Sequence, residues 1–105
     1  LGSSLNIDYG KLDYHFTAFI GILLTKSNKT QEVLTELASI PNVVEASVIS
    51  GKYNIFCKVR AKNTEDAKRI IYQIDDIQDV MRTESMISME EFLSDKNRLI
   101  NAISV

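Results

Sequence analysis

Two short stretches hold the side chains best suited to chemistry. The first is Ser50-Gly51-Lys52-Tyr53-Asn54. Its glycine lets the backbone approach a ligand closely, and the N–H groups of such a turn can hold a carboxylate. The second is Arg82-Thr83-Glu84-Ser85. Thr83 and Ser85 stand two residues apart, so in a strand their hydroxyls share a face. Backbone donors for a carboxylate, with the hydroxyls and the Asn54 amide for an amine, would suit a small zwitterion. The plainer reading of the same residues is a hairpin turn and a polar edge strand.

Catalytic groupings are sparse. His15 with Asp13 could be part of a proton relay, but no nucleophile stands within sequence reach, and an ordinary surface histidine is the plainer reading. Cys57, between Phe56 and Lys58 on an apolar phase, reads as a small hydrophobe. Glu90 and Glu91, placed in a strand, would point to opposite faces. Met81, Met86 and Met89 suit a core or an interface. Lys68-Arg69 and the scattered lysines lack the interleaved aromatics of a nucleic-acid surface. With one cysteine and one histidine, a Cys-based zinc site and a multi-His site within one chain are excluded. No catalytic residue, metal or cofactor is expected.

The 105 residues, 45% apolar and 25% charged, make one domain. Twelve basic residues against fourteen acidic ones give a net charge of -2, which does not favour a polyanion partner. The apolar run Phe19 to Leu24, which includes Gly21, is far short of the about 20 residues that span a membrane. A lone cysteine fits a reducing, cytoplasmic setting.

These residues must be positioned by regular elements. Residues 3–9 are weakly strand-like, and 11–16 read as a connector. Residues 17–25 form a strongly apolar strand. Residues 30–40 read as a helix, with Thr30 as N-cap, Val33, Leu34, Leu37 and Ile40 as its stripe, and Pro41 as its stop. Strands at 43–50 and 53–61 flank Gly51 as a hairpin. A second helix covers 64–77, capped by Thr64, with Ala67, Ile70, Ile71, Ile74 and Ile77 on one side. A fourth strand spans 80–92, and 98–104 reads as an extra C-terminal strand. From residue 17 the order is β-α-β-β-α-β, the α+β, ferredoxin-like arrangement. A shift of 37 residues agrees with it, laying Phe19 on Phe56, Leu37 on Ile74 and Val43 on Val80.

In this arrangement both helices cover one face of the sheet. Tyr53, Ile55, Cys57, Val59 and Ala61 share a phase assigned to that face, and so do Ala18, Ile20, Ile22 and Leu24. Phe19, Leu23 and Phe56 then fall on the opposite face, with Lys58 and Arg60 towards one end. Leaving three such side chains in water forfeits roughly 1.5–3 kcal/mol each. A second copy of the chain, face to face, is expected to cover them. Cover in cis by the last or the N-terminal strand is the alternative.

The run Ser50 to Arg60 resembles the signature hairpin of the Lrp/AsnC family of prokaryotic regulators, and so does the run Asp79 to Glu91. Asn97-Arg98-Leu99 is similar to the family's last strand, and Leu5 to Leu12 to the strand linking its DNA-binding and effector domains. The resemblance implies an effector-sensing and oligomerisation domain at 17–105. Residues 1–16 would be a linker strand and connector to a DNA-binding domain that is not in the chain, which makes the chain either a fragment or a stand-alone effector domain. It also implies a dimeric α/β barrel, dimers that join into tetramers or octamers, and an amino acid bound between dimers. Carried over by position, the ligand contacts are Gly51, Tyr53, Asn54, Thr83 and Ser85. Glu84 stands where some members have a basic residue. The family usually has aspartate where this chain has Asn54, and losing a charge-assisted bond there weakens amine binding by about 1–2 kcal/mol. DNA would be contacted only through the absent helix-turn-helix. Two rivals share the strand order. One is a small dimeric α/β-barrel enzyme of monooxygenase or isomerase type, which needs an acid–base pair between helices and sheet. The other is an ACT-type amino-acid module, which the extra C-terminal strand expected after Glu91 disfavours.

Overall fold

The structure, a computed structural model, describes residues 13–104. In chain order it comprises β1 (Phe16–Leu24), α1 (Thr30–Ala38), β2 (Val43–Val48), β3 (Ile55–Ala61), α2 (Thr64–Asp75), β4 (Val80–Ile87) and α3 (Arg98–Ile103), with a 3-10 turn at Ser27–Lys29. The strands form one antiparallel sheet in the order β2-β3-β1-β4. This is the expected split βαβ topology. Val43 and Val80, 37 residues apart, each open a strand at the same place in the two halves.

The core follows from period-two alternation. Ala18, Ile20, Ile22 and Leu24 of β1 and Ile55, Cys57, Val59 and Ala61 of β3 are buried. They face Val33 and Leu37 of α1 and Ala67, Ile70 and Ile74 of α2, whose helical spacing puts them on one stripe. Each fully buried Ile or Leu contributes about 1.5–3 kcal/mol. Burial pushes the Cys57 thiol up to about 12, so it stays protonated and packs as an apolar group.

The helix starts differ from expectation in detail. Asn63, not Thr64, caps α2: its side-chain oxygen accepts from Asp66 N at 2.8 Å. Asp66 answers by accepting from Lys62 N at 3.0 Å and from the Arg69 guanidinium at 2.9 Å, which together hold its carboxyl below the usual range. Thr30 caps nothing; its hydroxyl donates to Ser27 O at 2.6 Å and closes the 3-10 turn. α1 ends two residues before the expected Ile40, because Ser39 N and Ile40 N turn to the three-residue-back carbonyls of Glu36 and Leu37 ahead of Pro41.

The C-terminal end is the main correction. β4 stops at Ile87, and its last rung is Ser88 N to Thr17 O at 2.9 Å. The extra strand expected at 98–104 is instead α3, closed by Asn101 N to Asn97 O at 2.8 Å and Ser104 N to Ile100 O at 3.0 Å. A strand needs a neighbour for its backbone groups, whereas a helix satisfies them within itself. The strand expected at 3–9 lies outside the described residues. No helix among those described is long and apolar enough to cross a membrane.

Asn63→Ala should lower the unfolding free energy by about 1 kcal/mol in urea titration, while Thr64→Ala changes it by much less.

Candidate functional site

The β2–β3 turn supplies the first group of site residues. Ile49 N donates to Asn54 O at 3.1 Å across it. Gly51 has φ +119, a conformation L side chains rarely adopt, and a Cβ built on it would meet nothing within 4 Å. The tip therefore stands clear of the body. Continuing the register that pairs Ile22 with Ile55 would set Asn54 opposite Leu23. Instead Asn54 N donates to Ile22 O at 2.9 Å, and its side-chain oxygen accepts from Leu24 N at 2.9 Å. Asn54 thus fastens the turn to the end of β1.

This irregularity turns Tyr53 over. Alternation assigned its ring to the helix side; the structure lays it on Gly21, where a Cβ would meet the ring at 2.7–2.9 Å. Gly21 lies between Phe19 and Leu23 in phase, so Tyr53 belongs to the face away from the helices.

Thr83 and Ser85 form the second group. They share a face, as expected; being the Cα partners of Ile22 and Ile20, they lie on those residues' side of the sheet. Thr83 Oγ1 donates to Asp75 Oδ1 at 2.7 Å. Asp75 ends α2, Asp76 is its C-cap, and the last turn holds no basic residue. A carboxylate at a helix C-terminus is disfavoured by about 0.3–1 kcal/mol, and the Thr83 hydroxyl offsets part of that. Sequence reasoning missed Asp75, although two acidic residues closing a helix without a base were there to be noticed.

The strand β1 lies between β3 and β4, so Thr83 is two strand spacings, about 10 Å, from Ile55. Gly51, Tyr53 and Asn54 are brought together; Thr83 and Ser85 are brought together; the two groups are not. Tyr53 lies on one side of the sheet and Thr83 on the other.

The face away from the helices carries Phe19, Leu23 and Phe56, all half-buried, with the Phe19 and Phe56 rings stacked at 5.8 Å. Met86 stands opposite Phe19. Met81, Met86 and Met89 are exposed, so none fills the core. At the other end Arg60 donates to Thr17 Oγ1 at 2.9 Å, and the Glu91 carboxylate lies 3.2 Å from Lys58 Nζ and 3.4 Å from Arg60. The expectation that Glu90 and Glu91 alternate in a strand fails because the sheet has already ended. The segment after β4 therefore reaches the polar end of this face in cis. His15 is exposed ahead of β1, and the described residues contain no His, Cys, Asp and Glu grouping able to hold a metal.

Two outcomes test this geometry. Native protein at pH 8 should leave Cys57 unlabelled by a maleimide that labels it fully in urea. Gly21→Ala should cost about 1–3 kcal/mol by displacing the Tyr53 ring, yet become neutral or stabilising in a Tyr53→Ala background, as a denaturation cycle would reveal.

The family model of the Lrp/AsnC ligand binding domain matches residues 17–97. The regulatory protein AsnC of Haemophilus influenzae is 34% identical over 90 residues, covering 85% of this chain and 60% of that one. The solved structure of Escherichia coli AsnC superposes with a TM-score of 0.83 at 27% identity, covering 88% of this chain and 62% of that one. A feast or famine regulatory protein from Mycobacterium tuberculosis, solved in complex with L-methionine, shares the fold at a TM-score of 0.79 and 22% identity, covering 89% and 63%. The chain thus spans a little over three-fifths of the length of these two structures.

Proposed function

Since the chain belongs to the Lrp/AsnC family, we propose that it is the effector-sensing and oligomerisation part of a cytoplasmic transcription regulator, with an amino acid as effector. One observation carries the reading. The five candidate contacts are divided between two sides of one sheet, with the hairpin tip projecting and the hydroxyls of β4 beside α2. A single copy cannot close both groups round one small molecule. A projecting hairpin from one copy meeting the β4–α2 surface of another would do so, with the ligand held between copies. The carboxylate would take the backbone N–H groups at Gly51, and the amine would take Thr83, Ser85 and the Asn54 amide. The L-methionine in the Mycobacterium tuberculosis protein is of the same chemical class.

Phe19, Leu23 and Phe56 are assigned to the contact within a dimer, sheet against sheet, and the hairpin contact to the assembly of dimers into tetramers or octamers. Effector binding then favours one assembly over another, and the bias is passed to DNA through a helix-turn-helix outside this chain. The enzyme reading is disfavoured by the same sheet. Its helix-side phase in β3 is Ile55, Cys57 and Val59, and the thiol is held protonated.

Isothermal titration against the twenty amino acids should find a binder. Asn54→Asp keeps the acceptor for Leu24 N and adds a charge, so it should tighten that binder by roughly tenfold. Absence of heat from every amino acid would remove the effector assignment.

A further inference from the structure

The three groups given to the effector's amine, Thr83, Ser85 and the Asn54 amide, are all neutral. An ammonium group enclosed between two protein surfaces loses its water, and without a counter-charge that loss strongly opposes binding. The side chain bonded to Thr83 carries such a charge. Asp75 Oδ1 accepts from Thr83 Oγ1 at 2.7 Å, and Asp75 is exposed. Among the described residues no ion pair includes Asp75, and the last turn of α2 holds no basic residue. The carbonyl end of the helix adds negative partial charge at the same place. Two nearby acids are directed elsewhere. Glu84 follows Thr83 in β4 and so points to the opposite face, and Asp79 accepts from Thr25 Oγ1 at 3.1 Å.

We propose that Asp75 is the charge by which this site selects an amino acid over its 2-oxo counterpart, acting both on the ammonium group and through Thr83. The hydrogen bond between them fixes a direction. A carboxylate has no proton to give, so the Thr83 O–H points at Asp75 and the oxygen's lone pairs are left for a ligand. A hydroxyl held in this way accepts and does not donate. It suits an ammonium group, which only donates, and opposes the keto oxygen of a 2-oxo acid, which only accepts. Without Asp75 the hydroxyl would be free to turn and serve either. Selection then comes from leaving the wrong ligand's polar atom unpaired, not from added contact area. This inference rests on the effector reading above.

Isothermal titration of the full chain tests it with two probes. One is the amino acid that the wild type binds most tightly among the twenty. The other is the 2-oxo acid of the same side chain, which for L-methionine is 4-methylthio-2-oxobutanoate. Asp75→Asn keeps the shape, removes the charge and lets the side chain donate to Thr83 Oγ1. It should weaken the amino acid about tenfold or more and leave the 2-oxo acid bound no more weakly. The urea midpoint should not fall, because a carboxylate at a helix C-terminus is unfavourable. Asp76→Asn, one residue further on, should change either affinity by less than about threefold. A chain that binds none of the twenty would overturn the effector reading together with this one. A binder whose affinity Asp75→Asn leaves unchanged, an equal loss for both probes, or an equal loss from Asp76→Asn would overturn only the role given to Asp75.

Discussion

Both edges and both faces of β1 are committed. Its edges pair with β3 and β4, and its even-numbered side chains interlock with the two helices. Its odd-numbered ones, Thr17, Phe19, Gly21 and Leu23, form the floor of the opposite face. Its register is therefore tightly specified, because a slip of one residue would exchange the two sets. The hairpin is fastened to its end through Asn54, Thr83 is set by its pairing with Ile22, and Arg60 is set by Thr17 at its beginning. The candidate site and the charged patch are thus two ends of one alignment.

That alignment also explains why the two halves of the proposed ligand site are separated. Tyr53 and Thr83 are placed by neighbouring positions of β1, Gly21 and Ile22, and adjacent residues of a strand look in opposite directions. The separation is therefore a property of the sheet. It favours a binding place shared between copies over a pocket inside one.

What could be read from the residues, and what could not, divides along the same line. The phases of β1 and β3 were legible because hydrophobic alternation is strict there, and Thr83 and Ser85 were correctly set on one side. Tyr53 was not legible, because the Asn54 amide side chain stands in for a ladder group and breaks the alternation, and no residue type announces that. The Asn63 cap was missed by one position, since Asn63 and Thr64 are both good caps and only geometry chooses. The segment Arg98–Ser104 carries enough isoleucine to suit a strand; having no strand beside it, it closed its own hydrogen bonds as α3. The pairing of Glu91 with Lys58 and Arg60 was hidden for a related reason: it depends on where β4 ends, which its own neighbours do not encode.

The central place of β1 has a consequence for synthesis. It is the first strand of the sheet to leave the ribosome, yet Ala18 finds its β4 partner only when Ile87 has been made. Over that interval one rim of the most apolar strand is unpaired, and contacts so distant along the chain are intrinsically slow to form. A nascent chain of this design spends its early life with its stickiest edge open to other strands, a hazard that ends only when β4 arrives to occupy it.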